Sequence, residues 1–437
     1  MARETKARIP TAAEIRRVTK RGVQWIITED EFVAKLKSGR RLRLKMGFDP
    51  TAPAITLGWA VGLRKLRQLQ DLGHTVVVII GDWTARIGDP SGQSQTRKML
   101  STREVRANAQ KILGQFYKIL DRKRTEVRWQ REWYDNFRLT KLATLASHVT
   151  VSKMLGRDDF WKRFQAERPI HIQEFIYPLL QAYDSVAVSA DVEFGGTDQE
   201  FNILLGRELQ PKYNQPAQCA FLMPLLVGLD GQQKMSQSLG NYIAVDDSPS
   251  EMYGKIMSLP DGAIVEYFEL LTDVPERELI GIRNAIAHRT ENPMKFKMRL
   301  GREIVSEFHT KALAREAEKD FELTFRSRTL ARTGTVRRPV PKGTVTVSVS
   351  FKGKDSKVEA LPPLLRRSGI VASASDARRL INEGAVREVG SGAASGRYLV
   401  RHTPKAARSS RVVVSPGTVY RVGKHRFLRI VDADKQP

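Results

Sequence analysis

Residues 42–50 (LRLKMGFDP), 63–74 (LRKLRQLQDLGH) and 75–83 (TVVVIIGDW) read as strand, helix and strand. A helix that returns the chain to a second apolar strand makes a parallel pair with a right-handed crossover, and ligands sit at the carboxyl ends of strands in such sheets. Both strands run at that end into polar turns, Gly47-Phe48-Asp49-Pro50-Thr51 and Gly81-Asp82-Trp83-Thr84. The apolar runs 185–196 (SVAVSADVEFGG) and 219–231 (CAFLMPLLVGLDG), with helical segments between, extend the α/β pattern to about residue 245. Residues 1–40 carry mixed charge and helical spacing (Val23, Ile26, Ile27, Phe32, Val33, Leu36), which predicts a small helical prelude. Amphipathic stretches without strand signals predict a helical domain over 246–325.

Beyond it the charge changes. Residues 324–357 hold nine Lys and Arg against one acid, with Gly and Pro interspersed, so 326–358 reads as a basic linker with one strand at Val345–Phe351. Residues 361–386 show two helical patterns about a Ser-Gly turn, and 391–430 hold nine Lys and Arg with no acid around strand-like segments. The expected architecture is therefore α/β: a doubly wound, Rossmann-like parallel-sheet domain over 41–245, a helical domain, and a small α+β domain over 359–437.

Composition narrows the partners. The 73 Lys and Arg against 48 Asp and Glu leave a net charge of 73 − 48 = +25 in 437 residues, which favours a polyanion. A single cysteine, Cys219, and seven scattered histidines exclude a disulfide framework and offer no metal-ligand cluster. No run reaches the roughly 18–20 apolar residues of a membrane span, and the N-terminus lacks a signal-peptide core, so a cytoplasmic chain is expected.

Five strings carry the chemistry: GFDPTAPAITLGW (47–59), GDWTARIGDPSGQSQTR (81–97), EFIYPLLQAYDS (174–185), EFGGTDQEFN (193–202) and KMSQSLGNYI (234–243). Singly they are weak, since Gly-Asp-Pro clusters form turns first of all. Together, in this order and spacing, the chain resembles the bacterial tyrosyl-tRNA synthetases of class I, closely over about 20–325 and more loosely in the tail. Read from the residues, Tyr177, Gln181 and Asp184 stand four and three apart and share one face of one helix, with Pro178 suited to its first turn. Such a face offers an acceptor for a phenol and oxygens for an ammonium group.

The resemblance implies roles. Asp184 takes the tyrosine hydroxyl, Tyr177 and Gln181 hold the α-amino group with Asp89, and Gln199 lies near the carboxylate. Asp49, Thr51, Gly58 and Trp59 from the first unit, and Gly195, Gly196 and Asp198 from a later strand end, meet ATP. Lys234, Met235, Ser236, Gln237 and Ser238 form the loop that closes over it. Thr51, Thr56, Arg97 and Lys234 are the expected catalytic positions. ATP arrives with Mg²⁺ as co-substrate, without a tightly bound cofactor or a protein metal site. The partners are tyrosine and tRNA(Tyr), the latter bound by Arg366, Arg367, Arg378 and Arg379 on the tail's two helices, in a homodimer away from membranes.

Three departures fall on the phosphate side. Thr56 and Trp59 replace both histidines of the family's His-x-Gly-His, Gln237 replaces the second lysine of the mobile loop, and Gln93 replaces the basic residue after Gly-Asp-Pro-Ser-Gly. Tryptophanyl relatives carry Thr at the first of these histidines, and eukaryotic tyrosyl enzymes lack the second lysine. The expectation is a tyrosine–tRNA ligase with slowed adenylation. Two competing readings are an impaired paralogue that binds tyrosine and RNA, and an enzyme that activates tyrosine for an acceptor other than tRNA; the basic tail weighs against the second.

Overall fold

The computed structural model describes residues 6–89, 101–325, 337–340, 343–352, 354–391, 397–407, 411–423 and 426–435. The chain packs as two units, Met1–Asp247 with Ser258–Ile304, and Ser248–Met257 with Val305–Pro437.

The first unit is organised by strands β1 (Trp25–Ile27), β2 (Arg43–Phe48), β3 (Thr75–Ile80), β4 (Thr125–Trp129), β5 (Val192–Gly196) and β6 (Cys219–Met223), in the order β1-β6-β5-β2-β3-β4. All pairs are parallel except β1 with β6. The run from Val76 to Ile80 is buried on both faces, which is why it is apolar without alternation. The chain builds outward from β2 through β3 to β4, then returns to lay β5 and β6 on the other side. The strand order thus reverses between β2 and β5. These two strands pair only at Leu44 with Val192 and at Lys45 with Glu193, whereas β2 and β3 pair continuously from Arg43 with Thr75 to Phe48 with Ile80. Beyond the Lys45–Glu193 rung β2 and β5 part, opening the crevice that a doubly wound sheet offers a ligand.

Several elements differ from the sequence expectation. Residues 25–27 form an edge strand rather than helix, because the free edge of β6 offers backbone partners to so short an apolar run; the helix begins at Glu29, capped by Thr28. The run 185–196 starts as the last turn of the helix Ile172–Ala187 and becomes strand only at Val192. Pro178 sits inside that helix, not in its first turn. The helix is closed at its start by Glu174 accepting the His171 N–H at 2.9 Å, and burial of Leu179, Leu180, Ala182 and Tyr183 offsets the donor that proline lacks.

The helices expected as one domain over 246–325 are shared between the units. Ile264–Leu271 belongs to the first, where the Tyr267 hydroxyl donates to the Val227 carbonyl at 2.6 Å. Pro249–Met257 and Lys311–Phe325 pack together in the second, the Tyr253 and Phe321 rings 5.7 Å apart. The second unit also contains β7 (Arg337–Pro339), β8 (Val345–Val349), β9 (Lys357–Ala360), β10 (Val386–Ser391), β11 (Arg397–Ala406), β12 (Arg411–Val414), β13 (Val419–Val422) and β14 (Arg426–Asp432). Six of them form a sheet in the order β7-β11-β10-β13-β14-β8. The helices Leu361–Arg367 and Ala374–Asn382 pack Leu361, Leu364, Leu365, Ala377 and Ile381 with Val347, Val349, Val386, Leu428 and Ile430. Part of the stretch expected as linker is therefore structural: alternation in Val345–Val349 buries Val347 and Val349, and β8 pairs with β14.

Candidate active site

The helix Ile172–Ala187 brings Tyr177, Gln181 and Asp184 to the crevice side, each with its own partners. Asp184 is 2% exposed and accepts from Gln130 Nε2 at 2.8 Å and Trp133 Nε1 at 3.0 Å, and it shares the single proton of Tyr134 Oη, at 3.0 Å, with the Leu180 carbonyl at 2.7 Å. An ionised carboxylate has about four acceptor positions, so three protein donors leave capacity for one more. Burial pushes its pKa up to about 6, while the charge of Lys45 and the three donors hold it from rising further. The Tyr177 hydroxyl donates to Asp49 Oδ2 at 3.1 Å, and Thr84 Oγ1 donates to Asp49 Oδ1 at 2.6 Å. Gly81 is needed for that approach, since a Cβ there would lie 2.1 Å from Asp49 Oδ1. Asp49, expected among the nucleotide group, is thus hydrogen-bonded to Tyr177 of the helix Ile172–Ala187. Enclosure raises its pKa to about 7, with Asp89 and Asp184 adding repulsion.

Asp89 accepts from Gln199 Nε2 at 2.8 Å, and Asn202 Nδ2 donates to both Gln181 Oε1 (2.9 Å) and Gln199 Oε1 (3.1 Å). Gln181, Asn202, Gln199 and Asp89 thus form one hydrogen-bonded chain, and Tyr177 and Asp184 are joined in another through Asp49, Thr84 and Gln130. The carboxylates of Asp49, Asp89 and Asp184 all act on Tyr177, raising its pKa well above that of a free phenol after the larger effect of burial. A pocket so charged suits an ammonium group.

The second group assembles around the start of the helix Leu57–Asp71. Thr56 is the N-cap but its side chain makes no capping bond, and its backbone bridges to Ala244. Gly58 faces Met235 of the loop 234–238: a Cβ on it would stand 3.3 Å from Thr56 Oγ1 and 3.8 Å from Met235 Cβ. Trp59 packs edge-on against Phe48 with centroids 5.8 Å apart. Gln237 Nε2 donates to the Ala54 carbonyl at 2.6 Å, and Ser236 N–H donates to Asn241 Oδ1 at 2.8 Å. Lys234 Nζ pairs with Asp198 Oδ2 at 2.6 Å. Gly196, at the end of β5, faces Asp198 Oδ1, which a Cβ would approach to 2.8 Å. Thr51 lies in the turn after β2, its N–H donating to the Asp49 carbonyl at 2.8 Å, and Ser238 is exposed on the loop. Gln93 and Arg97 lie outside the described residues.

Sequence reading missed Lys45, Glu193, Gln130, Trp133, Tyr134 and Asn202. Two left a signal: Lys45 and Glu193 interrupt apolar strands, where an unpaired charge would not be tolerated. The donors to Asp184 left none, because they come from the short helix Arg131–Tyr134 and its cap Gln130, whose place is set only by the fold. In the second unit Arg366, Arg367, Arg378 and Arg379 are all exposed. Arg367 donates to the Ser348 carbonyl at 2.7 Å and Arg379 pairs with Glu383 at 3.1 Å. Among the described residues no helix is long and apolar enough to cross a membrane, and no group of three or more His, Cys, Asp or Glu side chains is placed to hold a metal ion.

Residues 37–326 match the family described as tRNA synthetases class I (W and Y). The chain is 47% identical to the tyrosine–tRNA ligase of Dehalococcoides mccartyi strain 195 over 417 residues, 95% of this chain and 98% of that protein. It is 46% identical to the ligase of Moorella thermoacetica over 95% of each chain. In three dimensions it resembles a C-terminally truncated mitochondrial tyrosyl-tRNA synthetase of Aspergillus nidulans, with TM-score 0.60 and 22% identity over 71% of this chain and 94% of that one. The Archaeoglobus fulgidus synthetase complexed with L-tyrosine matches with TM-score 0.57 and 22% identity over 70% and 99%. At that identity the structural matches speak to the fold alone.

Proposed function

This chain belongs to the class I tRNA synthetases of the tryptophan and tyrosine type, and from that premise we propose how its residues work as those of a tyrosine–tRNA ligase. The tyrosine carboxylate attacks the α-phosphorus of ATP, giving tyrosyl-adenylate and pyrophosphate, and the tyrosyl group then passes to the terminal ribose of tRNA(Tyr). No covalent bond to the protein is needed, so positioning and charge stabilisation carry the catalysis.

The observation that carries this reading is Asp184, a buried carboxylate with three protein donors and room for a fourth. A phenol supplies that fourth donor. Phenylalanine would leave the site unpaired, which such sites reject by about 10⁴–10⁵. Asp89, Tyr177 and Gln181 receive the ammonium group, with Asp49 behind Tyr177, and Gln199 lies toward the carboxylate. ATP lies between the first turn of the helix Leu57–Asp71 and the loop 234–238, with Gly196 and Asp198 toward the ribose. The pair Lys234–Asp198 is part-exposed, so its exchange for a phosphate costs little, about 0–1 kcal/mol. Mg²⁺ comes with the nucleotide, held by phosphates and water. Thr56, Trp59 and Gln237 provide less positive charge toward the leaving pyrophosphate than the family's usual residues, so adenylation is slow. Relatives at 43–47% identity over nearly their whole length are named as ligases, and they lend the impaired-paralogue reading no support.

The exposed residues Arg366, Arg367, Arg378 and Arg379 contact tRNA phosphates. Exposed apolar side chains in 139–172, among them Leu139, Trp161, Phe164 and Ile172, support a homodimer. The cytoplasm is the expected compartment. Tyrosine-dependent ATP–pyrophosphate exchange tests the reading: exchange with tyrosine and not with phenylalanine supports it, and absence of exchange in a folded protein overturns it.

A further inference from the structure

The deepest charged groups in the first unit lie under the pocket rather than in it. Lys45 is 0% exposed and Glu193 1%, and the two face each other across the last paired rung of β2 and β5, Nζ to Oε1 2.9 Å. Lys45 Nζ places its other two N–H bonds on the Gln181 carbonyl at 2.8 Å and on Ser185 Oγ at 2.7 Å, both in the helix that carries Tyr177, Gln181 and Asp184. All three of its donors are used. Glu193 in turn accepts from Gln181 Nε2 at 3.1 Å, Ser185 Oγ at 2.8 Å and Gln218 Nε2 at 2.6 Å. The helix Glu200–Leu209 comes close enough to seal this cluster because residue 206 is glycine: a Cβ there would lie 2.8 Å from Gln218 Nε2 and 3.0 Å from Ser185 Oγ. A buried pair of this kind is weak evidence for stability, since apolar residues of similar volume often do as well.

Resting on the tyrosine-pocket reading above and going beyond it, we propose that the Lys45–Glu193 pair is the positioning element of that pocket. Lys45 pins the substrate-facing helix at the Gln181 carbonyl and supplies the positive charge that keeps Asp184 an acceptor for the phenol. Neither residue touches substrate; both act through Gln181 and Asp184. The geometry is supported by the electrostatics of Asp184, where Lys45 is the largest influence opposing the upward push of burial. The other charged or titratable groups around this part of the pocket are Asp49 from the end of β2, Tyr134 after β4, Tyr177 on its own helix, Glu193 through Gln181, and Asp89, which Arg157 approaches at 3.7 Å; Arg128 lies over the Trp133 ring at 5.8 Å and Lys141 over the Tyr183 ring at 4.9 Å. Of the cations, Lys45 is the one whose charge lowers the Asp184 pKa most.

The test uses the full chain and the double variant Lys45→Met with Glu193→Gln, which removes both charges and strands neither. The tyrosine affinity, measured by calorimetry with L-tyrosine alone, is expected to fall about twofold at pH 7 and about tenfold near pH 5, and to recover as pH rises. The acid limb of kcat/KM for tyrosine should move up by about one pH unit while kcat at saturating tyrosine changes little. A merely structural pair would lower the melting temperature and leave the limb where it was. Glu193→Gln alone keeps the lysine and removes the carboxylate that shares its charge, so its limb should stay or move down. A folded double variant with wild-type affinity and limb, or an upward shift in Glu193→Gln, overturns the inference. Wild-type protein that binds tyrosine but performs no exchange faults the ligase reading and leaves this one to the calorimetry; wild-type protein that binds no tyrosine sinks both.

Discussion

The side-chain amide of Gln237 donates a 2.6 Å hydrogen bond to the backbone carbonyl of Ala54, tying the loop 234–238 to the segment that leads into Thr56 and Trp59. Two departures from the family pattern therefore meet in space, and a neutral group stands where a cation is usual. Gln237→Lys should raise the single-turnover adenylation rate by about 10- to 150-fold, the equivalent of one charged hydrogen bond of about 1.5–3 kcal/mol, with little change in tyrosine affinity. A wild-type rate that Gln237→Lys does not move would mean that other groups already handle the leaving pyrophosphate.

Asp184→Asn tests the acceptor site. Gln130, Trp133 and Tyr134 all present donors to this carboxylate, so the amide nitrogen of asparagine must oppose one of them in either orientation. Loss of at least about 1–3 kcal/mol in tyrosine binding is expected. Unchanged tyrosine affinity in the folded variant would remove the pocket assignment.

Asp49 links stability to pH. Its folded pKa, about 7, lies above the usual carboxylate value of 3.8, so the protonated form favours folding. That contribution is fully present below about pH 4 and fades as pH rises through about 7. Asp49→Asn removes it and keeps an acceptor for Tyr177, so the variant should gain stability relative to wild type between about pH 5 and pH 8. Urea unfolding at those two pH values measures the difference; an equal offset at both would show that Asp49 does not titrate abnormally.

Charge reversal on the second unit addresses the RNA. Arg366→Glu with Arg378→Glu should weaken tRNA binding while leaving tyrosine–ATP exchange intact. The slope of log K against log salt should become shallower by about 0.7–0.9 for each phosphate that the variant no longer neutralises. If binding weakens with no change in slope, these arginines do not neutralise phosphates.

Much of this protein is determined locally in the chain. The unbroken apolar run of β3, the polar turns at Asp49 and Asp82, and the spacing of Tyr177, Gln181 and Asp184 follow from periodicity and turn chemistry, which neighbouring residues alone decide. What only the tertiary structure decided is non-local. The edge strand at Trp25 exists because β6 has an open edge, and Pro178 is tolerated within its helix because the residues beside it are buried. Asp184 meets donors from residues 130–134, and Asp49 meets Tyr177, 128 positions away in sequence. Lys45 and Glu193 are each legible as charges inside apolar strands, but their pairing required β2 and β5 to become neighbours where the strand order reverses. Burial and charge pairing act through space, and space is assigned only once the chain has packed.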